Sequence, residues 1–202
     1  MKKLVIASSN PGKLRELTTL LAPLGIEAVP QADLGVGEAE EPHDTFLENA
    51  LAKARHASRA TGLPALADDS GLCVYALKGE PGVHSAYYAG RGGSREERDA
   101  RNNAKLVAEL AGVEDRRAFY YCVLVLVASA DDPTPIVVDG RWEGEMMPAP
   151  QGTGGFGYDP YFRTDQRGLT AAQLPPEDKN RLSHRGKALA RLASRLAAGG
   201  AT

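Results

Sequence analysis

Apolar positions come as short runs and helical stripes that alternate along most of the chain. The first run, Leu4-Val5-Ile6-Ala7, breaks into the polar turn Ser8-Ser9-Asn10-Pro11-Gly12-Lys13 and then into a helix over roughly residues 12–22. A buried strand thus delivers a turn to a helix N-terminus, with Asn10 suited to the cap and Pro11 to the first helical position. Gly25-Ile26-Glu27-Ala28-Val29 predicts a second strand. Thr45-Phe46-Leu47-Glu48 has the form of a capping box and opens a helix to about residue 60, with Phe46, Leu47, Ala50, Leu51 and Ala54 on one face. Ser94-Arg95-Glu96-Glu97 repeats the device for a helix ending near Gly112. The stretch from Tyr120 to Val127 is too continuously apolar for a strand with one wet face, so it belongs inside a sheet, and Ile136 to Trp142 pairs with it. A closing helix starts at Ser183 as N-cap and turns Ala188, Leu189, Leu192, Ala193 and Leu196 inward. Strands alternating with helices predict an α/β fold. Two segments rich in Gly and Pro interrupt it, Lys78 to Gly93 and Met146 to Asn180. Long irregular stretches of this kind are functional loops or disorder, and the composition favours function for the second; a lid and a dimer contact stay open for the first.

Composition narrows the classes. With 202 residues, 43% of them hydrophobic, the chain can bury one sizeable core, and residues 1–202 are expected to form a single domain, whole or divided by a cleft into two lobes. A formal net charge of −2 argues against a general electrostatic grip on nucleic acid. No apolar run has the length of a membrane span, and Leu4 to Ala7 is too short for a signal-peptide core, so a cytoplasmic protein is expected. Cys73 and Cys122 lie in apolar stretches without C-x-x-C spacing and read as buried thiols.

Six places along the chain carry candidate chemistry. The N-terminal turn, with outward backbone N–H groups beside the Lys13 ammonium, is either an ordinary capped helix or an anion site, phosphate above all. Glu38-Ala39-Glu40-Glu41 and Asp68-Asp69-Ser70-Gly71 form an acidic cluster, the second part read as a tight turn between two buried segments. Adjacent carboxylates repel unless a cation compensates, and Mg²⁺ takes one or two carboxylates together with water and substrate phosphates. The alternative is that Asp, Ser and Gly merely shape a bend. Lys53 falls at the edge of its helix's apolar stripe, where it either snorkels or reaches a cleft. The loop Gly152 to Pro160 combines backbone freedom with Phe156, Tyr158 and Asp159, suiting it to a flat ligand. In Ser183-His184-Arg185 the first helical turn offers a planar donor fork at Arg185 to a carbonyl or phosphate.

Assembled in order, these segments closely resemble the inosine triphosphate pyrophosphatase family, the dITP/XTP pyrophosphatases that clear deaminated purine nucleotides. The resemblance covers almost the whole chain: Ala7-Ser8-Ser9-Asn10-x-Gly12-Lys13, Ala39-Glu40-Glu41, Thr45-Phe46-x-Glu48-Asn49-Ala50, Lys53-Ala54 and Ala67-Asp68-Asp69-Ser70-Gly71-Leu72. It continues through Pro81-Gly82-Val83-x-Ser85-Ala86, Gly154-Gly155-Phe156-Gly157-Tyr158-Asp159-Pro160 and Ser183-His184-Arg185-Gly186. The family pattern often has Thr-Gly-Asn where this chain has Ser8-Ser9-Asn10, which keeps the hydroxyl and alters the turn at Ser9. The resemblance implies an elongated mixed central sheet flanked by helices, two lobes with an active-site cleft between them, and a homodimer. It implies water attack on the α-phosphorus of a nucleoside triphosphate, releasing monophosphate and pyrophosphate with Mg²⁺ as cofactor. By that analogy Asp69 is general base and metal ligand, and Glu41, Glu40 and Asp68 are the other acidic candidates. Ser8, Ser9, Asn10, Pro11, Gly12, Lys13, Lys53 and Ser70 cradle the triphosphate. Phe156, Gly157, Tyr158 and Asp159 form the base pocket, completed by Lys179, His184 and Arg185.

Hypoxanthine and xanthine carry a carbonyl at the six-position where adenine has an amino group, so donors from His184 and Arg185 would be satisfied by the carbonyl and left facing a donor by adenine. Guanine shares that carbonyl and must be excluded at the two-position. Two rival readings are a pyrophosphatase for modified pyrimidine triphosphates, distinguished by activity on those and none on ITP, and a nucleotide-binding sensor that grips phosphates without hydrolysis. The sensor leaves the acidic cluster without a purpose.

Overall fold

The structure is a computed structural model that describes residues 3–164 and 168–199. Six strands, β1 (Lys3–Ala7), β2 (Glu27–Pro30), β3 (Ala65–Val74), β4 (Arg117–Val127), β5 (Ile136–Met146) and β6 (Phe162–Thr164), form one sheet in the order β2-β1-β3-β4-β5-β6. β1 runs parallel to both β2 and β3 while β5 and β6 are antiparallel, so the sheet is mixed. The helices are α1 (Pro11–Leu21), α2 (Phe46–Thr61), α3 (Arg95–Glu109), α4 (Pro176–Leu182) and α5 (His184–Gly199). This is the α/β architecture expected, with β4 inside the sheet as its unbroken apolar run requires. Contacts divide the chain into two compact units, one of Met1–Asp69, Cys122–Gly140 and His184–Thr202, the other of Ser70–Tyr121 and Arg141–Ser183.

In the first unit, Leu4 and Ile6 of β1, Leu66 of β3 and Cys122, Leu124 and Leu126 of β4 meet Leu17 and Leu21 of α1 and Ala188, Leu189 and Leu192 of α5. α2 packs against β1. Its buried side is Asn49, Ala50, Lys53, Ala54, Ala57 and Ser58, which keeps Ala50 and Ala54 of the expected stripe but leaves Leu47 43% exposed. Small Ala and Ser side chains let the helix lie close to the strand, and Asn49 is satisfied inside by a two-way bond with His43, accepting from its N–H at 3.1 Å and donating to its carbonyl at 3.0 Å. A second departure concerns Asp68-Asp69-Ser70-Gly71, which is no turn: β3 runs straight through it as a strand of ten residues. The carboxylates are tolerated there because cations from three helices meet them.

The second unit is built around aromatic packing. Phe162 meets Tyr120 edge-on with centroids 4.8 Å apart and Trp142 at 5.4 Å, amid Leu72, Val74, Leu106, Leu110 and Met146. α3 carries a complete capping box between Ser94 and Glu97 and ends at Glu109, short of Gly112. The long segment from Met146 to Asn180 is more ordered than its composition suggests, since it contains β6 and most of α4. Ser183 serves as C-cap of α4, its N–H donating to the Lys179 carbonyl at 2.9 Å, and α5 begins at the next residue. Both cysteines are buried and free, as expected. No helix among the described residues is long and apolar enough to cross a membrane.

One close approach fixes α5 on the sheet. A Cβ added to Gly140 of β5 would lie 2.0 Å from the His184 carbonyl oxygen and 2.7 Å from the Ala188 nitrogen, both backbone atoms that cannot rotate away. Gly140→Ala is expected to destabilise the protein by about 2 kcal/mol, the range for overpacking a filled interior, measured by urea denaturation.

Candidate active site

The N-terminal turn forms as its residues dictate. Asn10 caps α1, its Oδ1 accepting from the N–H groups of Gly12 at 2.9 Å and Lys13 at 3.2 Å, while its own N–H donates to Ser8 Oγ at 3.2 Å. The Leu14 N–H is taken by the Asn10 carbonyl. The cap therefore absorbs the outward N–H groups that the sequence suggested for anion binding. What the turn presents is the helix dipole, the Ser8 and Ser9 hydroxyls and the Lys13 ammonium, with the Ser9 hydroxyl donating to Glu38 and Pro11 exposed.

The decisive geometry lies on β3. Successive strand residues point to opposite faces, and the partners of Asp68 and Asp69 divide accordingly. Asp68 is fully buried beside α1 and α5. Lys13 Nζ sits 2.5 Å from its Oδ1, Arg185 Nε donates to its Oδ2 at 2.7 Å, and the Cys122 thiol donates to Oδ2 at 3.2 Å. Burial would raise its pKa, but the Arg185 guanidinium and the Lys13 ammonium hold it well below the usual carboxylate range. Arg185, 2% exposed, also donates to Glu16, which makes a quartet of two cations and two carboxylates with Asp68 and Arg185 buried and Lys13 and Glu16 half-buried.

Asp69 faces the other way, toward α2. Lys53 Nζ donates to its Oδ1 at 2.8 Å and to Glu41 Oε1 at 2.7 Å, bridging two carboxylates. Its Oδ2 is buried and has no hydrogen-bond partner among the described residues. Burial raises the Asp69 pKa, and Lys53 and Lys13 offset this only in part. Lys53 is raised as well: its own burial works against the charged form and the attraction of Asp69 and Glu41 overcomes it. Glu40 is exposed, and Ser70 is half-buried. Among the described residues no three His, Cys, Asp or Glu side chains gather as a ready-made metal cage.

In the second unit the glycine loop is organised by Asp159. Its Oδ2 accepts from the Phe156 N–H at 2.8 Å and from Lys179 Nζ at 2.9 Å. Gly155, at φ +72°, has no room for a side chain, because a Cβ would meet the same Oδ2 at 2.1 Å. The Phe156 ring lies under two cations, Lys179 at 4.8 Å and Arg95 at 4.9 Å from its centroid. Tyr158, by contrast, is 4% exposed and donates its hydroxyl to the Ser85 carbonyl at 2.9 Å.

These motifs extend over nearly the whole chain: the Ham1 family model matches residues 4–195. The chain belongs to the Ham1 family. Relatives in it include a Bordetella pertussis protein named dITP/XTP pyrophosphatase, 63% identical over 99% of this chain and 93% of its own length. A Nitrosomonas europaea protein of the same name is 63% identical over 97% of this chain and 95% of its own. Among solved structures, a HAM1 protein from Coxiella burnetii superposes with TM-score 0.88 at 45% identity, covering 98% of this chain and 99% of that one. A Mycobacterium abscessus structure named nucleoside-triphosphatase / dITP/XTP pyrophosphatase gives 0.72 at 45% identity, covering 94% and 98%.

Four of the sequence candidates sit among partners that their motifs do not display. Both oxygens of Asp68 accept from protein donors, Oδ1 from Lys13 and Oδ2 from Arg185 and the Cys122 thiol. Arg185 turns Nε to Asp68 and one terminal nitrogen to Glu16, so a role expected toward a base carbonyl is joined by a structural one. The Tyr158 ring is packed in the core of the second unit, with its hydroxyl on the Ser85 carbonyl. The adjacent carboxylates have separate partners, Lys13 and Arg185 for Asp68 and Lys53 for Asp69, because successive strand residues point to opposite faces. His184 is 7% exposed at the start of α5. Glu16 was invisible to sequence reasoning because it sits unremarkably in an amphipathic helix; its buried neighbour Leu17 was the only signal there.

The quartet generates a test. Arg185→Ala leaves Asp68 and Glu16 without their guanidinium and is expected to cost about 3–5 kcal/mol in chemical denaturation, the range for breaking a buried ion pair. A loss below about 1 kcal/mol would instead mark Arg185 as a residue held for ligand.

Proposed function

We propose that this chain is a dITP/XTP pyrophosphatase, hydrolysing deaminated purine nucleoside triphosphates (ITP, dITP, XTP) to the monophosphate and pyrophosphate by water attack on the α-phosphorus. The observation that carries the chemistry is Asp69, a buried carboxylate with Oδ1 fixed by Lys53 and Oδ2 without a protein partner. An orphaned buried oxygen of this kind is a costly arrangement unless a cation or a water completes it. The donor set fits Mg²⁺, a hard ion that binds one or two carboxylates and draws its other ligands from water and substrate phosphates; Asp69 would hold it with Glu41, which shares the Lys53 ammonium. When bound, the ion offsets charge on the phosphate oxygens and acidifies water.

The protein's own groups do the rest. Asp69 orients the attacking water as general base, with a raised pKa that suits proton uptake. Lys53 holds that carboxylate in place and keeps Glu41 beside it. Lys13, Ser8, Ser9, Asn10, Gly12 and Ser70 serve the triphosphate, and Phe156, Gly157, Asp159 and Lys179, with His184, serve the base. In the cell the enzyme acts as a cytoplasmic homodimer and removes these nucleotides before they enter DNA or RNA.

Purified protein incubated with Mg²⁺ and, separately, dITP, XTP, ITP, GTP and ATP is expected to release monophosphate and pyrophosphate from the first three and to spare the last two. Diphosphate with orthophosphate would move the attack to the γ-phosphorus, and absence of turnover would remove the proposal. Chelation with EDTA is expected to abolish the reaction and added Mg²⁺ to restore it. Asp69→Asn is expected to lower kcat by about 10²- to 10⁴-fold, the usual worth of a general base, with substrate binding retained.

A further inference from the structure

One ridge of α3 grips the glycine loop at consecutive turns. Residues spaced by four share a helix face, and Arg95, Asp99 and Asn103 are so spaced. Arg95 lies over the Phe156 ring, 4.9 Å from its centroid. Asp99 Oδ2 accepts from the Gly157 N–H at 3.1 Å, and Asn103 Nδ2 donates to the Gly157 carbonyl at 2.9 Å and to the Asp99 carbonyl at 2.8 Å. Both polar groups of residue 157 are thus clamped by side chains of a single helix. Arg95 Nε stands 3.9 Å from Asp99 Oδ2, so the residue over the ring and the residue on the backbone are themselves linked. Asn103 is buried, but Arg95 and Asp99 lie outside the core, their side chains 29% and 30% exposed.

We infer that Asp99, with Asn103 and Arg95, is a positioning element for substrate recognition, presetting Phe156 and the Gly157 peptide to receive the purine. The inference rests on the pyrophosphatase reading for its substrate and adds residues 54 and 58 positions away from the loop they serve. A preset loop binds its ligand without the ordering penalty that a free glycine segment incurs, so the clamp acts on affinity and leaves the phosphate chemistry alone. Asp99 touches neither the acidic cluster nor the phosphate turn.

The experiment compares wild type, Asp99→Ala and Asp99→Asn in two measurements: steady-state kinetics with dITP and Mg²⁺, and amide hydrogen exchange over residues 152–160. Asp99→Ala removes the acceptor and is expected to raise KM about 10-fold, the worth of one charge-assisted bond, with kcat within about 2-fold and the midpoint of thermal unfolding nearly unchanged. Exchange in the loop accelerates. Asp99→Asn keeps an oxygen that can accept from Gly157 and restores both KM and protection. An unchanged KM in Asp99→Ala, a fall in kcat alone, or an Asn variant as damaged as the Ala variant would each overturn the inference. Wild type inactive on dITP and XTP would defeat the pyrophosphatase reading instead, and exchange equal in Asp99→Ala and wild type would then defeat the clamp independently.

Discussion

Two consecutive carboxylates in the middle of a buried strand impose the constraint on which the first unit depends. An ionised side chain taken out of water loses several kcal/mol of solvation, and only a matched cation with good hydrogen bonds returns it. Strand pleating forbids a shared solution, because Asp68 and Asp69 leave β3 on opposite faces. Each face must therefore bring its own cation: α1 supplies Lys13 and α5 supplies Arg185 to one, α2 supplies Lys53 to the other. Three helices are tied to a single strand by charge in addition to their apolar stripes. Glu16 closes the arrangement by balancing the second cation on its face, so the quartet is neutral.

Asp159 plays a related part in the second unit. Its carboxylate collects the Phe156 N–H and the Lys179 ammonium, and the space it needs forbids a side chain at Gly155. The loop's shape follows from the polar atoms that hold it more than from the freedom of its glycines. With the α3 ridge holding Gly157 on both sides, a segment whose composition suggests mobility is held at several points by neighbouring side chains.

How far this could be seen in the sequence depended on the range of the physics. Local signals were legible: Asn10-Pro11 and the Ser94 box begin helices where they predict, and the apolar run at 120–127 lies inside the sheet. The motif residues Asp69, Lys53 and Glu41 were also legible as a group. Pairwise partners were not. Arg185 meets Asp68 across 117 positions, a pairing that no spacing rule conveys, and so its fork read naturally as a ligand donor. The turn reading at Asp68-Asp69 failed because propensity treats adjacent Asp, Ser and Gly as a bend, whereas long-range cations made the strand affordable. On α2, counting large apolar residues placed Leu47 on the inner face; the strand selected Ala and Ser for close approach.

The division of cations on β3 separates two chemically identical neighbours. Asp68 receives two cations and a thiol and is held well below the ordinary carboxylate range, which leaves it unable to take a proton near neutrality. Asp69 has a direct bond from Lys53 alone; its burial is incompletely offset, its pKa rises, and one oxygen is left without a protein donor. Pairs of titratable groups driven in opposite directions by their surroundings are how one fold assigns distinct acid–base roles at neutral pH. The saturated carboxylate organises helices and the unsaturated one is available for chemistry. A second cation on Asp69 would relieve its burial but occupy the oxygen that water or a metal ion needs, so the electrostatic deficit at Asp69 is the feature that a purely structural carboxylate would lack.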